Sequence, residues 1–261
     1  MTPKHDERSA GAGADGGCLL MSRTRLILLG LVAVVAVSVL ATASTSTPAS
    51  ASGSCLTVTK APAYCVEGSP LASTAKENTE GTNSGEATLK ASIAGVSAEI
   101  KCEKGKSAGT IDGGAAGAVG KSVITMTFEK CKMIAPTNCK LTSADKTIET
   151  TELQSELELV SGRIEDKLVP KESGAFATVS VEGKESSCVI AEVGRPKNFG
   201  VAGSQVCEVD SSNSVAETEA TTHKIICKYS GSSLEVGGPA EMASQTTVKL
   251  TSGKNWSVKE T

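Results

Sequence analysis

A serine between two glycines is the first group in this chain that could act in catalysis. Gly105, Ser107 and Gly109 have the G-x-S-x-G spacing of a nucleophile elbow, in which a strand-to-helix turn presents the serine to a histidine base. His223 is the only histidine in the body of the chain, so a triad would need Ser107, His223 and an acid. The residues after Ser107 instead indicate a turn and a strand, and His223 is expected to face solvent on a strand. The elbow is therefore disfavoured.

A glycine-rich segment partly matches a phosphate-binding loop. Gly114 and Gly120 precede Lys121 and Ser122, but they enclose five residues where the motif needs four. Residues 123–128 favour a strand, whereas phosphate binding needs the N-terminal N–H groups of a helix. We interpret the segment as a Gly/Ala loop and predict no cofactor.

Metal and carboxylate chemistry have little support in the sequence. Residues 210–213 (DSSN) lack the Asp/Asn/Gly spacing of a calcium loop and favour a turn. A pair of catalytic carboxylates, as in glycosidases, stays open, but most glutamates alternate with Lys or Thr as on a solvated sheet face. No catalytic, cofactor-binding or metal-ligating residue is assigned.

An uncharged apolar run at residues 26–41 (LILLGLVAVVAVSVLA) determines the expected compartment. Arg23 and Arg25 precede it, and two A-x-A sites follow at 41–43 and 49–51, which is the layout of a secretory signal peptide. Cleavage after Ala51 is favoured, so residues 1–51 would comprise a polar preamble and the signal, and the protein would be secreted. The alternative is a cell-surface protein anchored by 26–41, although that run is shorter than the roughly 20 residues of a spanning helix. Either Met1 or Met21 could be the start.

Eight of the nine cysteines follow the predicted signal. An even number in an oxidising compartment predicts disulfides, and the absence of C-x-x-C removes the common zinc and thioredoxin spacings. A loose repeat of residues 100–114 at 225–238 makes Cys102 and Cys227 candidates to bridge, although connectivity stays open. The remaining pairs would then be Cys55–Cys65, Cys131–Cys139 and Cys188–Cys207.

Composition narrows the classes of partner and the kind of core. The chain has 26 basic and 29 acidic residues, a formal net charge of −3, and no basic cluster, so binding to nucleic acid or to an anionic membrane is disfavoured. Only one Trp, two Tyr and three Phe are present. The core must therefore consist mainly of Val, Ile, Leu and Ala, and cross-links matter more.

The body of the chain indicates many short strands. Apolar residues alternate over 87–93 and 96–102, with a turn at Ala94 and Gly95, which predicts a hairpin. Residues 150–161 fit either a helix or a strand, and the strand is favoured. Further strands are expected at 107–111, 121–130, 175–181, 187–193, 204–209, 221–229, 232–236 and 246–250. The predicted fold is an all-β, disulfide-stabilised antiparallel sandwich or barrel-like domain at 86–261, after a short cysteine-closed unit at 52–67 and a linker or loop at 68–85.

The order of these segments resembles a family of secreted, cysteine-containing, β-rich actinobacterial proteins. The similar features span residues 86–258 and end in V-K-L-x-S-G-K-x-W, from Val248 to Trp256. The others are the Ile100/Cys102 hairpin, the Phe128–Cys131 turn with Cys139, Ile148 followed by Leu153, and the Cys188 and Cys207 pair. The resemblance implies export and a β-rich body, and it implies no activity or ligand.

The function expected from the sequence is that of a secreted, non-catalytic structural or binding protein. Its partner would be an unidentified extracellular or cell-envelope component, with membrane contact only through an uncleaved signal. A hydrolase using Ser107 and His223, or a pair of carboxylates, is the alternative. A secreted inhibitor, with residues 132–138 as its exposed loop, is a third hypothesis.

Overall fold

Strands form along most of this chain because successive strand residues face opposite sides of a sheet, and polar and apolar residues alternate. The structure, a computed structural model, describes residues 61–72, 74–113, 119–209, 218–228 and 231–259. The compact unit that contains them is Pro48–Thr261. Predictions for the signal, Cys55 and residues 210–213 lie outside the described residues.

Seventeen strands are found in the described residues, and one 3-10 turn lies at Ala144–Lys146. In chain order the strands are β1 (Ala63–Val66), β2 (Ser69–Pro70), β3 (Lys76–Asn83), β4 (Ala87–Ile93), β5 (Val96–Asp112), β6 (Lys121–Ala135), β7 (Cys139–Leu141), β8 (Ile148–Glu149), β9 (Leu153–Val160), β10 (Arg163–Pro170), β11 (Ala177–Gly183), β12 (Lys197–Val201), β13 (Gln205–Val209), β14 (Thr222–Cys227), β15 (Leu234–Glu235), β16 (Pro239–Leu250) and β17 (Trp256–Lys259). The predicted all-β class is confirmed. No helix in the described part of the chain is long and apolar enough to cross a membrane.

Eight strands close into an antiparallel barrel. The ring runs β3–β5–β6–β9–β10–β13–β14–β16, and β16 pairs back onto β3. Full closure leaves these strands without free edges in the paired region. The barrel-like form of the fold prediction is therefore the correct one.

The long strands β5 and β16 carry two different neighbours along their length. At one end of the barrel β3 lies between them, and at the other end β4 takes that place, with Ala87 opposite Cys102 and Ala91 opposite Ala240. A small antiparallel sheet, β12–β11–β7, packs near the β4 end. The larger hydrophobic core forms there and includes Phe128, Phe176 and Val181.

The second core lies inside the barrel, where β1 and β17 contribute its aromatic side chains. These two strands pair with each other, with Tyr64 opposite Val258. Trp256 is 1% exposed and lies with its ring centroid 6.2 Å from that of Tyr64. The N-terminal part of the described chain thereby pairs with its C-terminal strand, and the predicted closure of residues 52–67 by Cys55 lies outside the described residues.

In the hairpin of β5 and β6, the pattern of buried positions shifts by one residue partway along both strands. Buried positions are even-numbered up to Cys102 and odd-numbered from Gly105 onward, and β6 changes in the same place, between Phe128 and Cys131. Lys130 there has a left-handed backbone, with φ of 54°. In β5, Ile100 and Cys102 before the change belong to the larger core, and Ile111 after it belongs to the second core.

The alternation of polar and apolar residues along the sequence predicted most strands correctly. The 87–102 hairpin is confirmed, with φ values of 50° and 79° at Ala94 and Gly95. Residues 153–160 form a strand, so the helix alternative is wrong. Residues 107–111 are not a separate strand after a turn but continue β5, so the proposed repeat with 225–238 does not hold.

Two other predictions were wrong. The 68–85 linker contains β2 and β3, and β3 is a strand of the barrel. The strand expected at 187–193 is instead an irregular segment with isolated bridges.

The disulfides differ from the predicted pairing, and two of the three join cysteines that are opposite each other on paired strands. Cys102 bonds to Cys131, Cys139 to Cys188 and Cys207 to Cys227. The Cys102–Cys227, Cys131–Cys139 and Cys188–Cys207 candidates are therefore wrong. Cys65 is also disulfide-bonded, but its proposed pairing with Cys55 lies outside the described residues.

Candidate functional site

The structure separates the two residues of the proposed catalytic pair. Ser107 lies on β5 and His223 on β14, with β3 and β16 between them in the ring. Ser107 is 8% exposed, and its hydroxyl lies against Gly81 of β3. The His223 Nε2 atom lies 2.7 Å from the Trp256 carbonyl oxygen. No hydrogen bond joins Ser107 to His223 within the described residues, so the geometry does not support a triad.

The glycines around Ser107 have a packing role. A side chain at Gly105 would meet the Asn83 side chain, and one at Gly109 would meet the backbone of Val123 and Ile124. Ser107 itself sits within the continuous strand β5 and not at a strand-to-helix turn. The G-x-S-x-G spacing therefore reflects close contacts between barrel strands.

His223 faces the interior and not solvent, which corrects the expectation from the sequence. It is 2% exposed, and its ring meets the Trp256 ring edge-on at a centroid distance of 4.4 Å. The period of two could have revealed this, because His223 shares its strand face with Ile225 and Cys227.

A chain of polar side chains crosses the barrel interior. The Ser122 and Ser155 hydroxyl oxygens lie 2.6 Å apart, Tyr64 lies close enough to Ser122 for that hydroxyl to lower its pKa, and Asp166 lies close enough to Ser155 for the same effect. These four residues are between 2% and 8% exposed. They belong to β1, β6, β9 and β10, so closure of the barrel brings them together.

Asp166 is the ionisable group in this chain of contacts. Burial raises the pKa of its carboxyl to about 6 from an ordinary 3.8, and the Ser155 hydroxyl lowers it in part. Burial also raises the pKa of Tyr64 well above its ordinary value, and the nearby Asp166 charge raises it further. The Asp166 Oδ1 atom has no hydrogen-bond partner among the described residues.

Sequence reasoning missed Asp166. Residues 163–170 were not predicted as a strand, so Asp166 was not placed on one face with Ile164 and Leu168. Those two neighbours are 2% and 3% exposed. Their alternation with charged residues was the available signal.

The outer face of the barrel carries a polar groove of about 740 Å³. Strand register arranges most of its side chains in two rows. One row is Thr247, Thr82, Lys106, Thr127 and Glu149; the other is Thr222, Lys249, Glu80, Ala108 and Thr125. Each row crosses five strands, a width of about 19 Å at the usual strand spacing.

The charges of this groove largely compensate one another. Lys249 pairs with Glu80 at 2.9 Å, and Lys106 pairs with Glu129 beside the groove at 2.7 Å. The residues lining the groove include two lysines and two glutamates, and no aromatic side chain. Hydroxyl groups, which both donate and accept hydrogen bonds, are therefore its main binding groups.

The structure also describes the residues that follow the glycine-rich segment and those of the proposed inhibitor loop. Lys121 and Ser122 begin β6, so a strand follows the glycine-rich segment, as predicted. Residues 132–135 of the proposed inhibitor loop lie in β6, and Asn138 hydrogen-bonds to Ser187 at 2.9 Å. The more exposed apolar side chains lie on the adjoining segment, with Val189 at 68% and Val193 at 53%. Inhibition of another protein stays a hypothesis.

Comparison of the chain with protein-family models, curated proteins and solved structures found no match.

Proposed function

We propose that this protein is a secreted, non-catalytic binding protein whose ligand is an uncharged, hydroxyl-rich polymer, such as a neutral polysaccharide of the cell envelope. The observation that carries the proposal is the 740 Å³ groove with its two rows of polar side chains. Its residues lie almost entirely on paired strands, so the binding groups are held in place before a ligand arrives.

The charge of the groove favours a neutral ligand. Its lysines already have carboxylate partners in Glu80 and Glu129. A nucleic acid or an acidic polymer would need unpaired cations along its path. An uncharged polymer needs only hydrogen-bonding groups, and five threonines supply them: Thr82, Thr125, Thr127, Thr222 and Thr247.

The composition of the groove also disfavours a protein or a small apolar ligand. Protein interfaces depend on buried aromatic and large apolar anchors, and pockets for small molecules are mostly apolar. The residues that line the groove include no aromatic and no large apolar side chain. The strands at its centre are paired on both sides, so a peptide could not add to the sheet as a further strand.

Secretion is supported by the cysteine chemistry together with the predicted signal. Three disulfides join cysteines of the described residues, and such bonds persist in oxidising compartments. The proposal therefore places the groove outside the cell, where envelope polysaccharides are accessible.

Sedimentation with insoluble polysaccharides tests the proposed ligand class. The purified protein is incubated with a neutral glucan, with chitin and with an anionic polysaccharide, and the bound fraction is measured against protein concentration. We expect binding to a neutral polymer that resists added salt. The double variant Thr82→Val/Thr127→Val should weaken it about thirtyfold, because each of the two lost hydrogen bonds contributes roughly 1 kcal/mol.

A matched control is Ser97→Ala, an exposed residue at the turn end of β5 that does not line the groove. It likewise removes a hydroxyl from a strand and should leave binding unchanged. Equal binding by the groove variant and the control, or binding only to the anionic polymer, would contradict the proposal.

A further inference from the structure

The barrel interior contains a small cavity, separate from the outer groove. Its volume is about 50 Å³, which accommodates only one or two groups the size of water. Six polar residues contribute to its lining, and they come from six different strands: Tyr64, Thr79, Ser107, Ser122, Asp166 and Thr246. The cavity is therefore assembled only when the barrel closes.

Most of the lining is apolar, and its polar groups are these six oxygen-bearing side chains and the indole N–H of Trp256, which has no hydrogen-bond partner among the described residues. Asp166 is 7% exposed, and its Oδ1 atom has no hydrogen-bond partner among the described residues. No lysine, arginine or histidine lines the cavity. An ionised carboxylate in such surroundings is costly unless a cation accompanies it.

We propose that this cavity binds one monovalent alkali cation, held by the Asp166 carboxylate and by neighbouring hydroxyl oxygens. Carboxylate and hydroxyl oxygens are ligands for hard cations. A single carboxylate neutralises a single positive charge, whereas a divalent ion would leave an uncompensated buried charge. A large organic cation does not fit in 50 Å³.

The other titratable groups near the cavity do not replace this cation. Tyr64 faces Asp166 from β1, and burial raises its pKa, so its hydroxyl stays protonated at neutral pH. Asp112 lies close enough to Tyr64 to raise that pKa as well.

Thermal unfolding in different salts tests the site. The protein is melted at pH 7.5 in potassium, sodium or tetramethylammonium chloride at equal ionic strength. We expect the melting temperature in one or both alkali salts to exceed that in tetramethylammonium by about 3 °C when the ion is at ten times its dissociation constant, since the folded state is then favoured roughly tenfold. The comparison of sodium with potassium identifies the preferred ion.

The Asp166→Asn variant should lose this difference between salts, because it lacks the charge that holds the ion. Asp145→Asn, at an exposed aspartate, is the matched control and should keep it. If Asp166→Asn does not fold, ²³Na line broadening of the unmodified protein, with potassium as competitor, provides a second measurement. Equal melting temperatures in all three salts would overturn the proposal, and so would the absence of broadening at a sodium concentration that raises the melting temperature.

Discussion

Asp166 has a different environment from the other acidic side chains with raised or lowered pKa values. Glu77, Glu103 and Glu129 have a lysine partner that lowers their pKa, whereas burial in the barrel raises the pKa of Asp166. Pairs at the exposed surface contribute little to stability. The buried carboxyl should therefore have the larger effect on how stability depends on pH.

We expect Asp166 to destabilise the folded protein above about pH 6 in the absence of alkali ions. Below its unfolded pKa of 3.8 the carboxyl is protonated in both states and has no effect. Between 3.8 and about 6 the unfolded chain releases its proton first, so the folded state loses stability as pH rises. Asp166→Asn should then be more stable at pH 7.5 by up to about 3 kcal/mol.

Urea unfolding in tetramethylammonium buffers from pH 3.5 to 7.5 measures this dependence. The free energies of unfolding of Asp166→Asn and the unmodified protein should diverge as pH rises and meet at the acid end. Asp145→Asn should follow the unmodified protein throughout. A constant difference across the range would mean that the substitution acts through packing and not through ionisation.

At the scale of elements, close packing between neighbouring strands restricts which residue types β5 can contain. It pairs with β4, β3 and β6 along its 17 residues. A Cβ atom at Gly109 would lie 2.9 Å from the Ile124 Cα atom and still closer to the Val123 carbonyl oxygen. These are backbone atoms of β6, which cannot move without disturbing the sheet.

Gly109→Ala should therefore destabilise the protein by about 1–3 kcal/mol, the usual cost of overpacking. The measurement is the free energy of unfolding in urea. Gly200→Ala on β12 is the control, because its nearest contact would be the Ala175 Cβ atom at 3.4 Å. The control should be neutral or slightly stabilising, and an equal loss in both variants would contradict the assignment of Gly109 to a close contact.

Strand prediction succeeded where one face of the strand is apolar and failed where the inward face is polar. The β4–β5 hairpin was predicted because Leu89, Ile93 and Ile100 alternate with polar residues. The inward residues of β3 include Thr79 and Gly81, so its sequence has no apolar period. A side chain at position 81 would meet Ser107, Thr246 and Val248, so the packing favours glycine there. No local sequence pattern reveals these contacts.

At the scale of the whole molecule, the disulfide pairing and the barrel interior depend on which strands become neighbours. Cys102 and Cys131 are opposite each other on β5 and β6, as are Cys207 and Cys227 on β13 and β14. The sequence indicates these strands one at a time, but not their order around the ring. The same limit explains why Tyr64, Ser122 and Asp166, more than 100 residues apart at the extremes, were not recognised as one cluster.

A disulfide map of protein recovered from culture medium tests this topology and the predicted export together. Each of the six cysteines with an assigned partner falls in a different tryptic peptide. Under non-reducing conditions we expect peptide 102–104 joined to 131–132, 133–140 to 185–197, and 198–224 to 225–228. We also expect the chain to begin near Ser52 after removal of the signal.

The alternative pairings give different masses, so the map distinguishes them directly. The pairing suggested by sequence would join 131–132 to 133–140 and 102–104 to 225–228. Digestion after denaturation with free thiols blocked prevents exchange between bonds, and a reduced sample, in which all six peptides appear singly, is the control. Cross-links between β5 and β14 would contradict the strand order of the barrel, because β3 and β16 separate these two strands in the ring.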